Sequence, residues 1–154
     1  MQLHEFLDFD AIKTSLPGGS KRALLQQLAN LAGQRLSLDT AAILGSVAER
    51  EQLGSTGFGQ GVAIPHGKIE GLKRIYCLFC RLAEPVDYKA IDARPVDLVF
   101  LLLSPPDAGA EHLKALAAIS RVTRQSIILE QMRGARSRDA LAAVLMGADE
   151  RDAA

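Results

Sequence analysis

Ile75-Tyr76-Cys77-Leu78-Phe79-Cys80-Arg81-Leu82 and, after a break, Leu98-Val99-Phe100-Leu101-Leu102-Leu103 are the two runs that decide the fold. Neither alternates apolar with polar residues, as a strand with one wet face would. A strand that is apolar on both faces needs a cover on both, so these runs predict strands over about 74–82 and 96–103 in a central sheet clad by helices. The first run also settles the cysteines. Cys77 and Cys80 spell C-x-x-C, but three residues along a strand span ~10 Å and end on opposite faces. That exceeds the ~7 Å reach of a disulfide. A redox thiol would need a helix N-terminus instead, and no second cysteine pair exists to complete a zinc site. Both thiols are expected to be buried, reduced and structural.

The flanking segments carry helical patterns. Ile12 to Leu16 reads as a strand closed by Pro17-Gly18-Gly19. Ser20 is placed to cap a helix to about Leu36, with Leu24, Leu28 and Leu31 on its stripe. Asp39 is placed to cap a second helix through Ile43 and Val47 to about Glu51. A third, capped near Asp107, carries His112, Leu116 and Ile119. The C-terminal third is helical again, with Ser137 as cap for Leu141, Val144 and Leu145, and the tail is expected to fray from Gly147. Helices, then strands, then helices, with 154 residues to share among them, fit one α/β layered domain over 1–154. The strand order stays open at this point.

Composition excludes several functions. Hydrophobic residues are 48% and charged residues 23%, and 18 basic residues balance 18 acidic ones. A neutral chain has no global field to hold a polyanion or a membrane surface. Arg121, Arg124, Arg133, Arg136 and Arg138 are interspersed with Glu130 and Asp139 and lack an aromatic platform, so solvated helix faces explain them better than nucleic acid. The wholly apolar run Leu98 to Leu103 is six residues, against the ~20 that cross a bilayer. The opening Met1 to Asp8 is acidic without a basic segment, and the expectation is a cytoplasmic chain with no secretory signal.

Chemistry concentrates in Leu53-Gly54-Ser55-Thr56-Gly57-Phe58-Gly59-Gln60-Gly61-Val62-Ala63-Ile64-Pro65-His66-Gly67-Lys68. Two nucleotide readings fail on spacing. The third glycine comes one place too early for G-x-G-x-x-G, and a strand follows rather than a helix. From Gly61 to Gly67-Lys68 there are five residues where a Walker loop has four, and Ile69 replaces its Ser or Thr. What remains is a glycine loop whose amides could form an anion nest, with the hydroxyls of Ser55 and Thr56, leading to His66 held by Pro65. A neutral imidazole beside such a nest suits phosphoryl chemistry; an ordinary loop with a solvated histidine is the alternative. Arg50 lies seven residues after Ile43 and three after Val47, so at ~100° per residue it shares their inward stripe. It either enters a cleft or merely complements the helix dipole. His112 shares a face with Leu116 and Ile119 near a helix start, and either joins an anion site or lies at a core edge. His4-Glu5 lacks the second histidine of a zinc helix, so no metal is expected.

The string Arg50-Glu51-Gln52-Leu53-Gly54-Ser55-Thr56-Gly57 through Pro65-His66-Gly67 resembles the signature of the mannitol/fructose-class enzyme IIA domains of the bacterial phosphotransferase system. Arg94-Pro95-Val96-Asp97-Leu98-Val99-Phe100 and Glu111-His112-Leu113 resemble later segments of that family. The resemblance runs in order over nearly the whole chain and is strongest to the nitrogen-regulatory branch, whose members are single unfused domains. It implies an α/β fold with a mixed central sheet flanked by helices on both faces. It implies His66 as phosphoacceptor, His112 as the second histidine of the site, and Arg50 as the arginine beside the phosphoryl group. Ser55, Thr56 and Gly57 would border it as a phosphoryl-binding loop, with no cofactor. It implies a phosphohistidine donor on an HPr- or NPr-type carrier, and targets such as potassium-transport or sensor-kinase proteins.

Three functions follow as expectations. One is a regulatory phosphocarrier, whose phosphorylation adds roughly two negative charges to an interface. A second is a sugar-system component that passes phosphate to a permease-linked IIB domain. The third is a binding module whose histidine is never phosphorylated.

Overall fold

The structure, a computed structural model, describes residues 1–153, with side chains described through Asp149. Among these residues the chain runs β1 (Lys13–Leu16), α1 (Lys21–Leu36), α2 (Thr40–Gln52), β2 (Gly57–Gly59), β3 (Val62–Ala63), β4 (His66–Lys68), β5 (Tyr76–Val86), β6 (Val96–Ser104), α3 (Gly109–Thr123), α4 (Ser126–Gly134) and α5 (Arg138–Ala153). Two short 3-10 turns, Leu3–Glu5 and Phe9–Ala11, precede β1.

The strands form one mixed sheet in the order β1-β5-β6-β3-β2, with β4 also on β6. β5 and β6 are antiparallel and supply the long central ladder from Tyr76 opposite Leu103 to Val86 opposite Val96. β3 and β4 both run parallel to β6, one after the other. Proline has no N–H to donate, and the carbonyl of Pro65 still takes the Leu102 amide at 3.0 Å, so the line from Val62 to Lys68 follows one neighbour throughout.

Side chains of the two central strands divide alternately between two cores. Cys77, Phe79, Leu98, Phe100 and Leu102 pack with Ile119, Val122, Ile128, Met132, Leu141 and Leu145. Leu78, Cys80, Leu82, Val99, Leu101 and Leu103 pack on the other face with Leu24, Leu28, Ile43 and Val47. The sheet is thus covered by α3, α4 and α5 on one side and by α1 and α2 on the other, the arrangement expected of strands that are apolar on both faces. The two cysteines are free, one in each core, and burial pushes both thiols up.

Ser20 and Asp39 cap α1 and α2 as the sequence indicates, each accepting a backbone N–H at 3.1 Å from Ala23 and Ala41. Ser137 does the same for Ala140 at the start of α5. Three expectations need correction. Asp107 does not cap α3: the helix starts after Ala108, and no side chain caps its first turn by a hydrogen bond. The glycine stretch is not a loop throughout but carries the β2–β3 hairpin, turned at Gly59, Gln60 and Gly61 with φ of 108, 59 and 79°. The tail does not fray directly from Gly147, because α5 continues past it and Ala148 and Asp149 are buried. Ala154 lies outside the described residues. No described helix is long and apolar enough to cross a membrane.

Candidate functional site

A cleft of about 460 Å³ opens where β4 and β6 end, between the C-terminal turns of α2 and the start of α3. Ligands of open α/β sheets collect at such strand ends. Its walls include Arg50, His66, Lys68 and His112, with Ser46 and Leu53 from the α2 side and Leu113 and Leu116 from α3.

His66 is the most buried of these ionisable groups, 7% exposed. Ile64 is extended before Pro65, and its carbonyl lies 2.8 Å from the Nδ1 of His66. A carbonyl can only accept, so the Nδ1 carries the proton and the Nε2 keeps its lone pair. The His66 pKa falls below the ordinary imidazole value chiefly because burial disfavours the cation; the Arg50 guanidinium adds to this, while the Ile64 carbonyl and Glu51 oppose it. His112 lies with its ring centroid 5.3 Å from that of His66, tilted by 53°. Its pKa is brought down to about 4 by burial, with His66 and Lys68 adding repulsion. The cleft therefore holds two neutral imidazoles beside two cations. The guanidinium of Arg50 is oriented by donation to the Gly54 carbonyl at 2.8 Å.

Gly67, next to His66, shows how tightly β4 is pressed on α2: a Cβ there would meet the Ser46 Oγ at 2.5 Å. The same hydroxyl donates to the Lys68 carbonyl at 2.9 Å. Helix α2 is thereby fastened to the strand that carries the histidine.

The expected triad of His66, His112 and Arg50 is brought together. The Ser55-Thr56-Gly57 segment is not. Thr56 is fully buried, with its hydroxyl on the Glu51 carboxylate and 3.0 Å from the Tyr88 hydroxyl. Its amide donates to Glu51 at 3.2 Å, and the Gly57 amide donates to the Ser55 hydroxyl at 3.1 Å. Those amides are consumed internally, so the loop offers no open nest there. Instead it braces the site from behind: the Thr56 carbonyl accepts from the Ile64 amide at 2.9 Å, and Ile64 in turn holds His66.

Sequence reasoning missed Lys68, Ser46, Glu51, Tyr88 and Ser104. Lys68 had a signal, since it follows His66 by two residues and strand residues two apart share a face. The others depend on partners far away in the chain. Among the described residues no three His, Cys, Asp or Glu side chains converge as a metal-holding group.

Comparison with known proteins identifies the family. The family described as phosphoenolpyruvate-dependent sugar phosphotransferase system, EIIA 2, matches residues 5–147. The chain is 43% identical over 145 residues to the nitrogen regulatory protein of Bradyrhizobium diazoefficiens, covering 94% of this chain and 95% of that one. It is 38% identical over 142 residues to the nitrogen regulatory protein of Pseudomonas aeruginosa, covering 92% of each. The crystal structure of the nitrogen regulatory protein IIA-Ntr from Neisseria meningitidis superposes with a TM-score of 0.85 at 38% identity, covering 92% of this chain and 97% of that one. Likeness of this extent in sequence, fold and family signature together means that the chain belongs to the EIIA 2 family of the bacterial sugar phosphotransferase system.

Proposed function

We propose that the protein is a phosphohistidine carrier of a nitrogen-regulatory phosphotransferase system. In this reading it accepts a phosphoryl group on the Nε2 of His66 from an HPr- or NPr-type carrier and regulates partner proteins through its phosphorylation state. The observation that carries the reading is the fixed tautomer of His66: its Nδ1–H is given to the Ile64 carbonyl, leaving a lone pair in a cleft beside Arg50 and His112.

The Nε2 lone pair attacks phosphorus on the donor phosphohistidine, the donor N–P bond breaks, and its electron pair returns to the donor imidazole. His66 keeps its Nδ1 proton throughout, so the positive charge that develops on the ring meets the Ile64 carbonyl. Such a transfer asks for positioning and charge stabilisation more than covalent help. Arg50 and Lys68 supply charge for the equatorial oxygens, and His112 adds a neutral ring. No ATP loop or cofactor is called for, because the donor is a protein phosphohistidine. A site with few cations also leaves the labile N–P bond ready for onward transfer. The added charge of about −1.5 to −2 on His66 would then alter an interface around the cleft, where Leu53 and Leu113 stand 83% and 66% exposed. The targets of that change are, by resemblance, potassium-transport or sensor-kinase proteins in the cytoplasm.

The test is transfer from a phosphorylated HPr-type carrier, read by intact mass. One acid-labile phosphate is expected on the wild type and none on His66→Ala. Stoichiometric labelling of that variant would overturn the assignment. Rapid transfer onward to a purified IIB domain would instead place the protein in sugar uptake.

A further inference from the structure

Ser104 ends β6 and is fully buried. Its backbone is fixed opposite Lys68 in the β4–β6 ladder, and its carbonyl accepts the Ile69 amide at 2.8 Å. Pro105 and Pro106 follow, which restricts how the chain leaves the strand. The hydroxyl is thus delivered from a rigid strand end to the Nδ1 of His112, 2.5 Å away.

Two arrangements satisfy that distance. If the Nδ1 donated to the Oγ, the serine proton would need another acceptor in a fully buried place, and none is found among the described residues; an unmade buried hydrogen bond carries its whole desolvation cost. If the serine donates to the Nδ1, both groups are satisfied at once. A neutral imidazole has a single N–H, and with its pKa held down to about 4 the His112 ring is neutral at physiological pH. That N–H then lies on the Nε2. His66 is the mirror case, with the proton on the Nδ1 and a bare Nε2.

The geometry points to Ser104 as a positioning residue: it donates to the Nδ1 of His112 and fixes that ring as the Nε2–H tautomer, a neutral donor in the cleft beside the phosphoryl acceptor. Its part in transfer rests on the phosphocarrier reading above. The consequence is a division of labour between two chemically identical rings. His66 presents the lone pair that attacks phosphorus, and His112 presents an N–H for the phosphoryl oxygens. A bare Nε2 on His112 would repel those oxygens and offer a second nucleophile. Ser104 removes that competitor without adding a charge that would hold the phosphoryl group too firmly.

The test uses the full chain, 15N-labelled at histidine and unphosphorylated, with imidazole nitrogen spectra of wild type, Ser104→Ala and Ser104→Thr at neutral pH. The expected wild-type His112 signal is the Nε2–H form. Ser104→Ala should give a mixture of tautomers and accept phosphate from a phosphorylated HPr-type carrier roughly tenfold more slowly, the loss of one hydrogen bond. Ser104→Thr, which keeps the hydroxyl, should restore both. A Nδ1–H form of His112 in the wild type, or identical spectra for wild type and Ser104→Ala, overturns the proposal. A shifted tautomer with an unchanged transfer rate overturns the role in transfer. If the wild type shows the expected spectrum but takes no phosphate, the carrier reading falls while the serine's control of the His112 tautomer stands.

Discussion

His66 turns on two neighbours, a proline before it and a carbonyl two residues back. Burial lowers its pKa from the ordinary ~6.5, and the direction fixes the pH dependence. Above its folded pKa the ring is neutral and nucleophilic; below it both nitrogens are protonated and the lone pair is gone. Acceptance should therefore stay level as pH falls to about 6.5 and decline only below that. An NMR titration of the His66 ring should give the same midpoint as the acceptance rate, and a midpoint at or above that of a free imidazole would contradict the burial argument. Much of this was legible in advance. The X-Pro-His spacing announces an extended residue before a held histidine, and helical periodicity puts Arg50 on the inward stripe. The tautomers were not legible, because the Ile64 partner is a backbone carbonyl that any residue carries, and the Ser104 hydroxyl reaches His112 only once α3 packs at the end of β6.

At the scale of elements, the end of α2 is tied to the hairpin by one carboxylate. Glu51, its side chain 5% exposed, pairs with Lys21 at 2.9 Å, accepts from Tyr88 at 2.7 Å, and holds Thr56 by both amide and hydroxyl. Glu51→Ala leaves those groups without their acceptor and should cost about 2–4 kcal/mol, measured as a shift in denaturant midpoint. It should also loosen the path from Thr56 through Ile64 to His66. A stability loss below ~0.5 kcal/mol would show the network to be dispensable. The hairpin within the glycine loop carries no local signal because its pairing is completed from elsewhere: Ile91 donates to Gly57 at 2.9 Å, Gln60 to Asp92 at 3.0 Å, and Arg133 grips the turn at Gln60. Such pairings leave no local periodicity. The strands and the helices bounded by Ser20, Asp39 and Ser137 were legible because their signals are local. Asp107 failed as a cap because Ala108 holds that position.

Across the whole molecule, the two ends of the chain secure each other. The buried carboxylate of Asp149 accepts the amides of Leu3 and His4 at 3.2 and 3.3 Å, and its ring partner His4 lies at 3.3 Å. Leu3 and Phe6 sit in the same core as Leu141 and Leu145. A chain shortened to residues 1–147 should lose about 2–4 kcal/mol, with the amides of the first turn left unsatisfied, and thermal unfolding would show it; an unchanged Tm would mean that water replaces Asp149 without loss. The sheet carries a longer consequence. His66 stands opposite Leu102 on β6, and Ser104, which orders His112, stands two residues further along the same strand. One strand is therefore the ruler from which both imidazoles are measured. A slip of a single residue between β4 and β6 would carry His66 by ~3.3 Å and turn it to the opposite face of the sheet. Strand register, ordinarily a property of folding, is here the tolerance to which the reactive pair is machined.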